Sequence, residues 1–213
     1  MPYAVFPAIA PGRVHHWEES AFLVARRDLL GATPSWSPLP LFTPAERQVF
    51  HGLPRWRQAE WEAGRLLAKT VVSSVTGRPV TEVEILPRAD GSPRLSVPGL
   101  QVSISHTAHH VAAAVAPGAV GVDLCELSAA PSVGRAAAHV LAPAERQLTR
   151  ESPELLTAAW ALKEAAVKAG RQGLFCEAPR RVRILTLIPP VLSGGRRALV
   201  GSAGTATLAV VLP

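Results

Sequence analysis

The sequence predicts an α+β fold made of two similar α/β lobes related by a pseudo-twofold axis. Short strand-like runs alternate with longer helical patterns along the chain, which favours a mixed class. The pentapeptide PAERQ occurs twice, starting at Pro44 and at Pro143, which indicates an internal duplication. We therefore divide the chain into an N-terminal lobe, residues 1–117, and a C-terminal lobe, residues 118–213.

Composition places the chain among globular proteins. It has 213 residues, of which 48% are hydrophobic and 18% are charged. We expect no membrane association, because no apolar run is long enough to cross a bilayer and the N-terminus lacks a secretory signal pattern. Cys125 and Cys176 are too few for a disulfide framework, so we expect a cytoplasmic protein.

The net charge of +6 favours an acidic partner, such as a nucleotide, a nucleic acid or an acidic protein. We expect no nucleic acid, because the basic residues are not interleaved with aromatic residues that would stack on bases. Only three of the 22 cationic residues are lysines, and Lys163 and Lys168 belong to one predicted helix. A compact ammonium suits point contact with a phosphate, although both lysines could also be ordinary solvated helix residues.

In the N-terminal lobe, Thr43, Pro44 and Glu46 form a capping box that starts a helix. Residues 1–40 predict only one element, a strand or a helix, around residues 21–30. The remaining predicted elements of this lobe are a helix at 58–75 and strands at 80–86, 101–105 and 110–116. Those of the C-terminal lobe are helices at 132–140, 143–150 and 153–170 and strands at 120–125, 181–188 and 205–212.

A single gapless offset of 99 residues relates other positions of the two halves. It pairs Trp61 with Trp160, Lys69 with Lys168, Arg65 with Glu164, Val24 with Asp123 and Ile85 with Ile184. On this alignment only the second lobe has carboxylates at these positions. We therefore expect one lobe to supply the acidic side of a site and the other a basic wall, with the ligand in the cleft between them.

Two stretches contain the clearest candidates for catalytic or ligand-binding residues. In residues 121–126, GVDLCE, the strand period of two puts Asp123 and Cys125 on one face and Glu126 on the other. In the helix, Glu164 and Lys168 share a face with Trp160 because their spacing is i, i+4 and i+8.

A buried carboxylate such as Asp123 needs a cationic partner, a metal or the backbone amides of a strand end. An ordinary surface pair of Glu164 and Lys168 would leave Asp123 without a partner. Two carboxylates and a lysine instead favour a Mg²⁺-assisted phosphate site, because Mg²⁺ prefers oxygen ligands and shares them with substrate phosphates.

The run SISHT at residues 103–107 does not encode a serine nucleophile. Ser105 and His106 are neighbours on a predicted strand and point to opposite faces, so they cannot pair as nucleophile and base. His106 could be structural or could contact a phosphate, and the residues alone favour neither. Zinc is also unfavoured, because neither cysteine lies in a ligand cluster with histidine spacing.

Four motifs in order resemble those of the 4′-phosphopantetheinyl transferases. They are Gly91-Ser92-Pro93, SISHT at 103–107, GVDLCE at 121–126, and WALKEA at 160–165 followed by Lys168. The resemblance covers about residues 42–174 and is closest to the larger, monomeric, pseudo-dimeric type. That type primes carrier proteins of secondary metabolism, including polyketide, nonribosomal peptide and siderophore assembly.

The resemblance implies coenzyme A as co-substrate in the cleft, with Mg²⁺, or Mn²⁺ as the alternative metal, on its pyrophosphate. Asp123 and Glu164 match the metal ligands of the family and, with Lys168, its catalytic residues. The residues that match its coenzyme A contacts are Arg65, Ser105, His106, Lys163 and Lys168, with His106 on the 3′-phosphate. Cys125 departs from the pattern, because many members have a further carboxylate there, and Ser92 stands where many have lysine.

The activity implied is transfer of 4′-phosphopantetheine from coenzyme A to a serine of an acidic apo acyl or peptidyl carrier protein, releasing 3′,5′-ADP. We expect Glu164, or a water beside it, to take the serine proton, and we expect a monomer with an internal pseudo-dimer. The alternative is a degenerate homologue that binds coenzyme A or the carrier without catalysis, which the Cys125 departure motivates.

Overall fold

The computed structural model describes residues 6–30, 39–150, 152–170 and 181–213, and Cys176 lies outside them. The chain forms two compact units, one of Pro11–Gly118 and one of Met1–Ala10 with Ala119–Pro213. Each contains helices and strands, so the α+β class and the two-unit organisation are confirmed. Within these ranges, no helix combines the length and apolar character needed to cross a bilayer.

The unit of Pro11–Gly118 is built on a four-stranded antiparallel sheet of order β1-β2-β6-β5. One long helix, α2, packs on one face of this sheet. The elements in chain order are β1 (Val14–Trp17), β2 (Ser20–Arg26), α1 (Pro44–His51), α2 (Arg55–Thr76), β3 (Ile85–Pro87), β4 (Pro93–Leu95), β5 (Gln101–His106) and β6 (His110–Ala116).

Most predicted elements of this unit are present. The capping box is confirmed, because the Thr43 side chain accepts from Glu46 N–H and the Glu46 side chain accepts from Thr43 N–H. The element predicted around residues 21–30 is strand β2. The strand predicted at 80–86 is wrong at its start, because Val80–Glu82 forms a 3-10 turn after Pro79 and the strand begins at Ile85.

The second unit is built on a three-stranded antiparallel sheet of order β10-β11-β7, with α5 packed on one face. Its elements are β7 (Gly121–Glu126), α3 (Ala130–Val140), α4 (Pro143–Leu148), α5 (Pro153–Ala169), β8 (Ile184–Leu187), β9 (Pro190–Leu192), β10 (Arg197–Ala203) and β11 (Ala206–Leu212). Strands β9 and β10 did not emerge from the sequence pattern. The other elements lie within a few residues of their predicted positions.

The described N-terminal residues belong to the second unit, which corrects the boundary predicted from sequence. Ile9 N–H donates to Ser202 O at 2.8 Å, and Ser202 N–H donates to Pro7 O at 2.8 Å. The Ile9 side chain packs against Gly201, where a Cβ would lie only 2.2 Å from Ile9 Cδ1. The segment is therefore held as a strand-like edge beside β10, through a parallel bridge between Ala8 and Ser202.

The duplicated PAERQ glutamates make the same buried contacts in the two units. Glu46 accepts from Ile85 N–H at 2.9 Å and lies 2.6 Å from Lys69 Nζ. Glu145 accepts from Ile184 N–H at 2.6 Å and lies 2.6 Å from Lys163 Nζ. The offset of 99 residues is therefore correct for the glutamate and for the strand residue that donates a hydrogen bond to it.

The same offset is wrong for the central helices. Glu46 and Glu145 are equivalent, so their buried partners Lys69 and Lys163, 94 residues apart, are equivalent too. A shift of 94 also carries every buried residue of α2 onto a buried residue of α5. The predicted pairings of Lys69 with Lys168 and of Arg65 with Glu164 are therefore wrong. The buried lysine follows the repeated glutamate by five fewer residues in the second unit than in the first.

The predicted pairing of Val24 with Asp123 is also wrong, because the two residues occupy opposite faces of their strands. In β2, Leu23 and Ala25 face α2 and belong to its core, whereas Val24 lies between them on the opposite face. In β7, Asp123 faces α5, because its carboxylate contacts Lys168 of that helix. The two side chains thus point to opposite sides of their sheets.

We predict that Lys69→Met destabilises the protein by about 3 to 5 kcal/mol, since it leaves the fully buried Glu46 carboxylate without its cation. Burial lowers the pKa of Lys69, and the hydrogen bond and charge of Glu46 oppose that shift. Urea unfolding followed by circular dichroism measures the loss. Asp28→Asn is the control, because it breaks the exposed Arg26–Asp28 pair and should leave the midpoint unchanged. Equal midpoint shifts for the two variants would contradict this role of the buried pair.

Candidate active site

The candidate site lies where α5 makes its closest approach to β7. Gly121 opens β7, and a Cβ on it would lie 1.8 Å from Ala165 O, inside the backbone of the helix. Alanines line this side of α5, including Ala158, Ala161 and Ala169. Because no side chain separates the two backbones here, groups within one turn of Ala165 reach the strand residues that follow Gly121.

Lys168 and Asp123 meet as a result of this approach. Lys168 lies one helical turn after Ala165, and its Nζ is 2.6 Å from Asp123 Oδ1 and 3.1 Å from Val122 O. The Asp123 side chain is 8% exposed and that of Lys168 is 27% exposed, so the pair opens to solvent on the lysine side. Asp123 thus has the cationic partner that a buried carboxylate requires.

Glu164 completes the cluster from one turn earlier on α5. Burial and, to a lesser extent, the negative charge of Asp123 raise the pKa of Glu164 to about 7, while the charge of Lys168 opposes the rise. A carboxyl group whose pKa lies near neutrality can accept and release a proton at physiological pH. Asp123 and Lys168 are thus in contact, and Glu164 lies near enough for both charges to act on its carboxyl group, while the catalytic and metal-binding roles of the three residues stay predictions.

Cys125 and Glu126, the next residues of β7, take no direct part in this cluster. Cys125 belongs to the core under α5, and burial, followed by the charges of Asp123, Glu126 and Glu164, raises the pKa of its thiol to about 12. Glu126 Oε2 accepts a hydrogen bond from Thr205 Oγ1 at 3.0 Å. These contacts agree with the predicted strand faces, with Cys125 toward the helix and Glu126 away from it.

The carboxylates of Asp123 and Glu164 fit a Mg²⁺ ion whose remaining ligands are oxygens of water or substrate. Asp123 and Glu164 offer carboxylate oxygens, which Mg²⁺ prefers, and a cation between them would offset the mutual repulsion that raises the Glu164 pKa. The described residues contain no group of three or more histidine, cysteine, aspartate or glutamate side chains placed to bind one metal ion. Waters or substrate oxygens would have to complete the shell, as is usual for this ion.

His106, the last residue of β5, lies in a second charged cluster, within the Pro11–Gly118 unit. The side chain shares the α2-facing side of β5 with Val102 and Ile104, and its Nδ1 is 3.9 Å from Glu60 Oε2 on α2. Glu60 Oε1 is 3.5 Å from Arg27 Nη1. The sequence predicted a role for His106 but not for Arg27 or Glu60. Neither of these lies in a motif, and the order of strands in the sheet is what brings them close to His106.

Ser105 and His106 lie on opposite faces of β5, as predicted. The Ser105 side chain is buried, whereas the His106 side chain is 43% exposed. The exclusion of a serine–histidine dyad agrees with this arrangement. Any contact of Ser105 with a ligand at the His106 face would have to involve its backbone.

Two of the predicted coenzyme A contacts are placed in structural roles. Arg65 is buried, donates from Nε to Ile85 O at 3.1 Å and lies 5.1 Å above the Trp61 ring, so it does not provide a basic wall. Burial lowers the pKa of Arg65 to about 10. The ammonium of Lys163 is held by Glu145 and Val182 O away from the Asp123 cluster.

Two family models match the chain, one to each unit. Residues 45–116 match the 4′-phosphopantetheinyl transferase N-terminal domain, and residues 119–189 match the 4′-phosphopantetheinyl transferase superfamily. The two matched segments together span most of the chain. The chain belongs to the 4′-phosphopantetheinyl transferase superfamily.

Two solved structures are similar to slightly less than half of this chain. A holo-(acyl-carrier-protein) synthase from Bacillus anthracis str. Ames, in complex with CoA (3′,5′-ADP), is 24% identical with a TM-score of 0.38, covering 46% of this chain and 92% of that one. The apo-ACPS structure from Chronobacterium ammoiniagenes is 21% identical with a TM-score of 0.34, covering 45% and 95% respectively. The comparison with curated proteins gave no significant match.

We predict that Gly121→Ala destabilises the protein by about 3 kcal/mol or more, because the new Cβ forces α5 away from β7. Transferase activity should fall further than the folded fraction does, since Lys168 and Glu164 move with the helix. Gly118→Ala is the matched control, because nothing lies within 4 Å of a Cβ at that position. Thermal unfolding and activity at a temperature where both variants are folded measure the two effects. A Gly121→Ala protein as stable as Gly118→Ala would contradict the packing described.

Proposed function

We propose that this protein transfers 4′-phosphopantetheine from coenzyme A to a serine of an apo carrier protein, with Mg²⁺ as its metal ion. The observation that carries the proposal is the cluster of Asp123, Glu164 and Lys168 on β7 and α5. It offers oxygen ligands for a cation, an ammonium for phosphate oxygens and a carboxyl group able to take a proton. These are the functions that phosphoryl transfer to a hydroxyl group requires.

In the proposed reaction, the serine Oγ of the carrier attacks the phosphorus joined to pantetheine. The new O–P bond forms as the bond from that phosphorus to the bridging oxygen of 3′,5′-ADP breaks. Glu164 takes the proton of the serine hydroxyl. Lys168 donates to phosphate oxygens and so offsets the charge that develops on the leaving group.

Asp123 and Glu164 would hold Mg²⁺, which when bound supplies charge neutralisation at the pyrophosphate. The contact between Lys168 Nζ and Asp123 Oδ1 supports this proposal, because the ammonium orients the carboxylate. Mn²⁺ has similar ligand preferences and is a second possible metal. Removal of divalent ions with EDTA should stop transfer, and restoring Mg²⁺ should recover it.

The carrier is proposed to be an acidic acyl or peptidyl carrier of polyketide or nonribosomal peptide assembly. The net charge of +6 of the enzyme supports this, because opposite charges speed the encounter of two proteins. The protein is proposed to act as a monomer in the cytoplasm, and both points stay predictions from the sequence.

The decisive experiment incubates the protein with apo carrier, coenzyme A and Mg²⁺ and measures the carrier mass. The expected result is an increase equal to one phosphopantetheine group, with release of 3′,5′-ADP in equal amount. Several acyl and peptidyl carriers should be compared, because the preferred carrier is part of the proposal. An unmodified carrier in every case, despite measurable coenzyme A binding, would identify a homologue that binds without catalysis.

We predict that Glu164→Gln lowers the rate of transfer by at least about 100-fold, because it removes both a metal ligand and the proton acceptor. Glu126→Gln is the matched control on the neighbouring strand. Its amide oxygen can still accept from Thr205 Oγ1, so it should keep more than about half of the rate. Single-turnover rates by carrier mass measure the contrast. Comparable losses in the two variants would mean that the face assignment of β7 is wrong.

A further inference from the structure

One polar contact joins α5 to the sheet of its unit inside a core that is otherwise mostly apolar. Thr157 Oγ1 on α5 lies 3.0 Å from Thr207 Oγ1 on β11, and both side chains are buried. The neighbouring residues of α5 in this core are mostly alanines. Neither hydroxyl group takes part in the proposed reaction.

The two hydroxyl groups can share their protons in a way that satisfies both. Thr157 Oγ1 lies 3.0 Å from Pro153 O and 3.1 Å from Glu154 O, and these carbonyl oxygens can only accept. We therefore assign the Thr157 proton to a carbonyl of the helix and the Thr207 proton to Thr157 Oγ1. A buried hydroxyl group that loses its partner costs free energy, so this bond resists movement of α5 relative to β11.

The hydroxyl contact lies on the same helix face as two residues of the candidate active site. Glu164 follows Thr157 by seven residues and Lys168 follows it by eleven, which are about two and three helical turns. The three side chains are therefore aligned along one face of α5. A helix moves as a rigid element, so a shift at Thr157 displaces Glu164 and Lys168 as well.

Two contacts of different kinds hold α5 on the sheet. At Gly121 the backbone of Ala165 touches the strand and sets the distance between helix and sheet. Eight residues earlier, about 12 Å along the helix, Thr157 meets Thr207 at the level of Cys125. Apolar packing of alanines is non-directional and gives little resistance to sliding along the sheet. The hydroxyl pair supplies a directional contact that fixes the position of the helix along its axis.

We propose that Thr157 and Thr207 are positioning residues that hold Glu164 and Lys168 where transfer requires them, beside Asp123. They act through the helix and touch no substrate. A displacement of about 1 Å in an active site is enough to slow a reaction strongly. This role rests on the proposed function and extends it, because neither threonine belongs to the four sequence motifs.

The first test measures transfer by variants that lose one hydroxyl group. Thr157→Val and Thr207→Val should each lower kcat/KM about tenfold. The double variant should lose no more than about tenfold, because both changes break the same bond. Thr157→Ser keeps the hydroxyl group and should retain more than about half of the rate.

Thr70→Val is the matched control for this test. Thr70 Oγ1 donates to Leu66 O, four residues earlier on α2, as Thr157 Oγ1 does to Pro153 O on α5. The substitution therefore has the same local effect on a helix, and it should change kcat/KM by less than about twofold. Rates are measured where circular dichroism shows every variant folded, so that a loss of stability alone does not lower them. A loss in Thr70→Val equal to that in Thr157→Val would contradict the proposed role.

The second test needs no transfer reaction. Thr157 and Lys168 are about 16 Å apart along α5, and substitutions at that separation normally have additive effects on stability. Breaking the hydroxyl bond should move the helix and weaken the contact of Lys168 with Asp123. The urea midpoint shift of Thr157→Val combined with Lys168→Met should therefore be clearly smaller than the sum of the two single shifts. Thr70→Val combined with Lys168→Met should give the sum.

The two tests separate the positioning role from the proposed function. If the wild-type protein modifies no carrier but shows the smaller combined shift, the proposed function fails and the positioning contact stands. If it transfers phosphopantetheine while Thr157→Val and Thr207→Val keep the wild-type rate, the positioning role fails alone. Additive midpoint shifts for Thr157→Val and Lys168→Met would overturn that role in either case.

Discussion

The direct contact of α5 with β7 is the constraint on which the candidate site depends. A helix normally stands off a sheet by the thickness of its side chains, but Gly121 and the alanines of α5 remove that layer. Lys168 can then reach Asp123 with its side chain only partly exposed, and Glu164 is held where burial and the charge of Asp123 raise its pKa. The burial that raises the pKa of Glu164 therefore depends on small residues that carry no reactive group themselves.

Each unit also depends on a buried lysine–glutamate pair that ties its helix to a strand. The glutamate accepts from a strand N–H and from the ammonium, so its oxygens are satisfied although it is buried. Of the three lysines, Lys69 and Lys163 serve this purpose and only Lys168 lies at the site. The scarcity of lysine thus reflects buried packing as much as phosphate contact, because a compact ammonium fits a buried pocket that a guanidinium would not.

The local sequence pattern predicted most helices and strands. The residue offset between the two units could not be obtained from matching residue types alone. The capping box at Thr43 and the alternation in β5, β6 and β7 act over a few residues and were confirmed. Strand β10 was missed because Gly201 interrupts its pattern, for a reason that appears only when Ile9 packs on it. The helix offset was wrong because Trp61 and Trp160 match by type, while buried lysines define the true register.

The corrected register changes how the two halves divide the chemistry. At an offset of 94, Glu164 and Lys168 correspond to Thr70 and Ser74, which carry no charge, and Glu60 corresponds to Glu154 on the first turn of α5. Glu60, which contacts Arg27 and His106, therefore lies near the start of α2, whereas Glu164 and Lys168 lie near the end of α5. Duplication supplied one scaffold, in which a glutamate and a lysine fix a helix on a sheet, and each copy carries its polar cluster at a different position along that helix. A single conserved frame can thus present unlike groups without disturbing the buried pair that stabilises it.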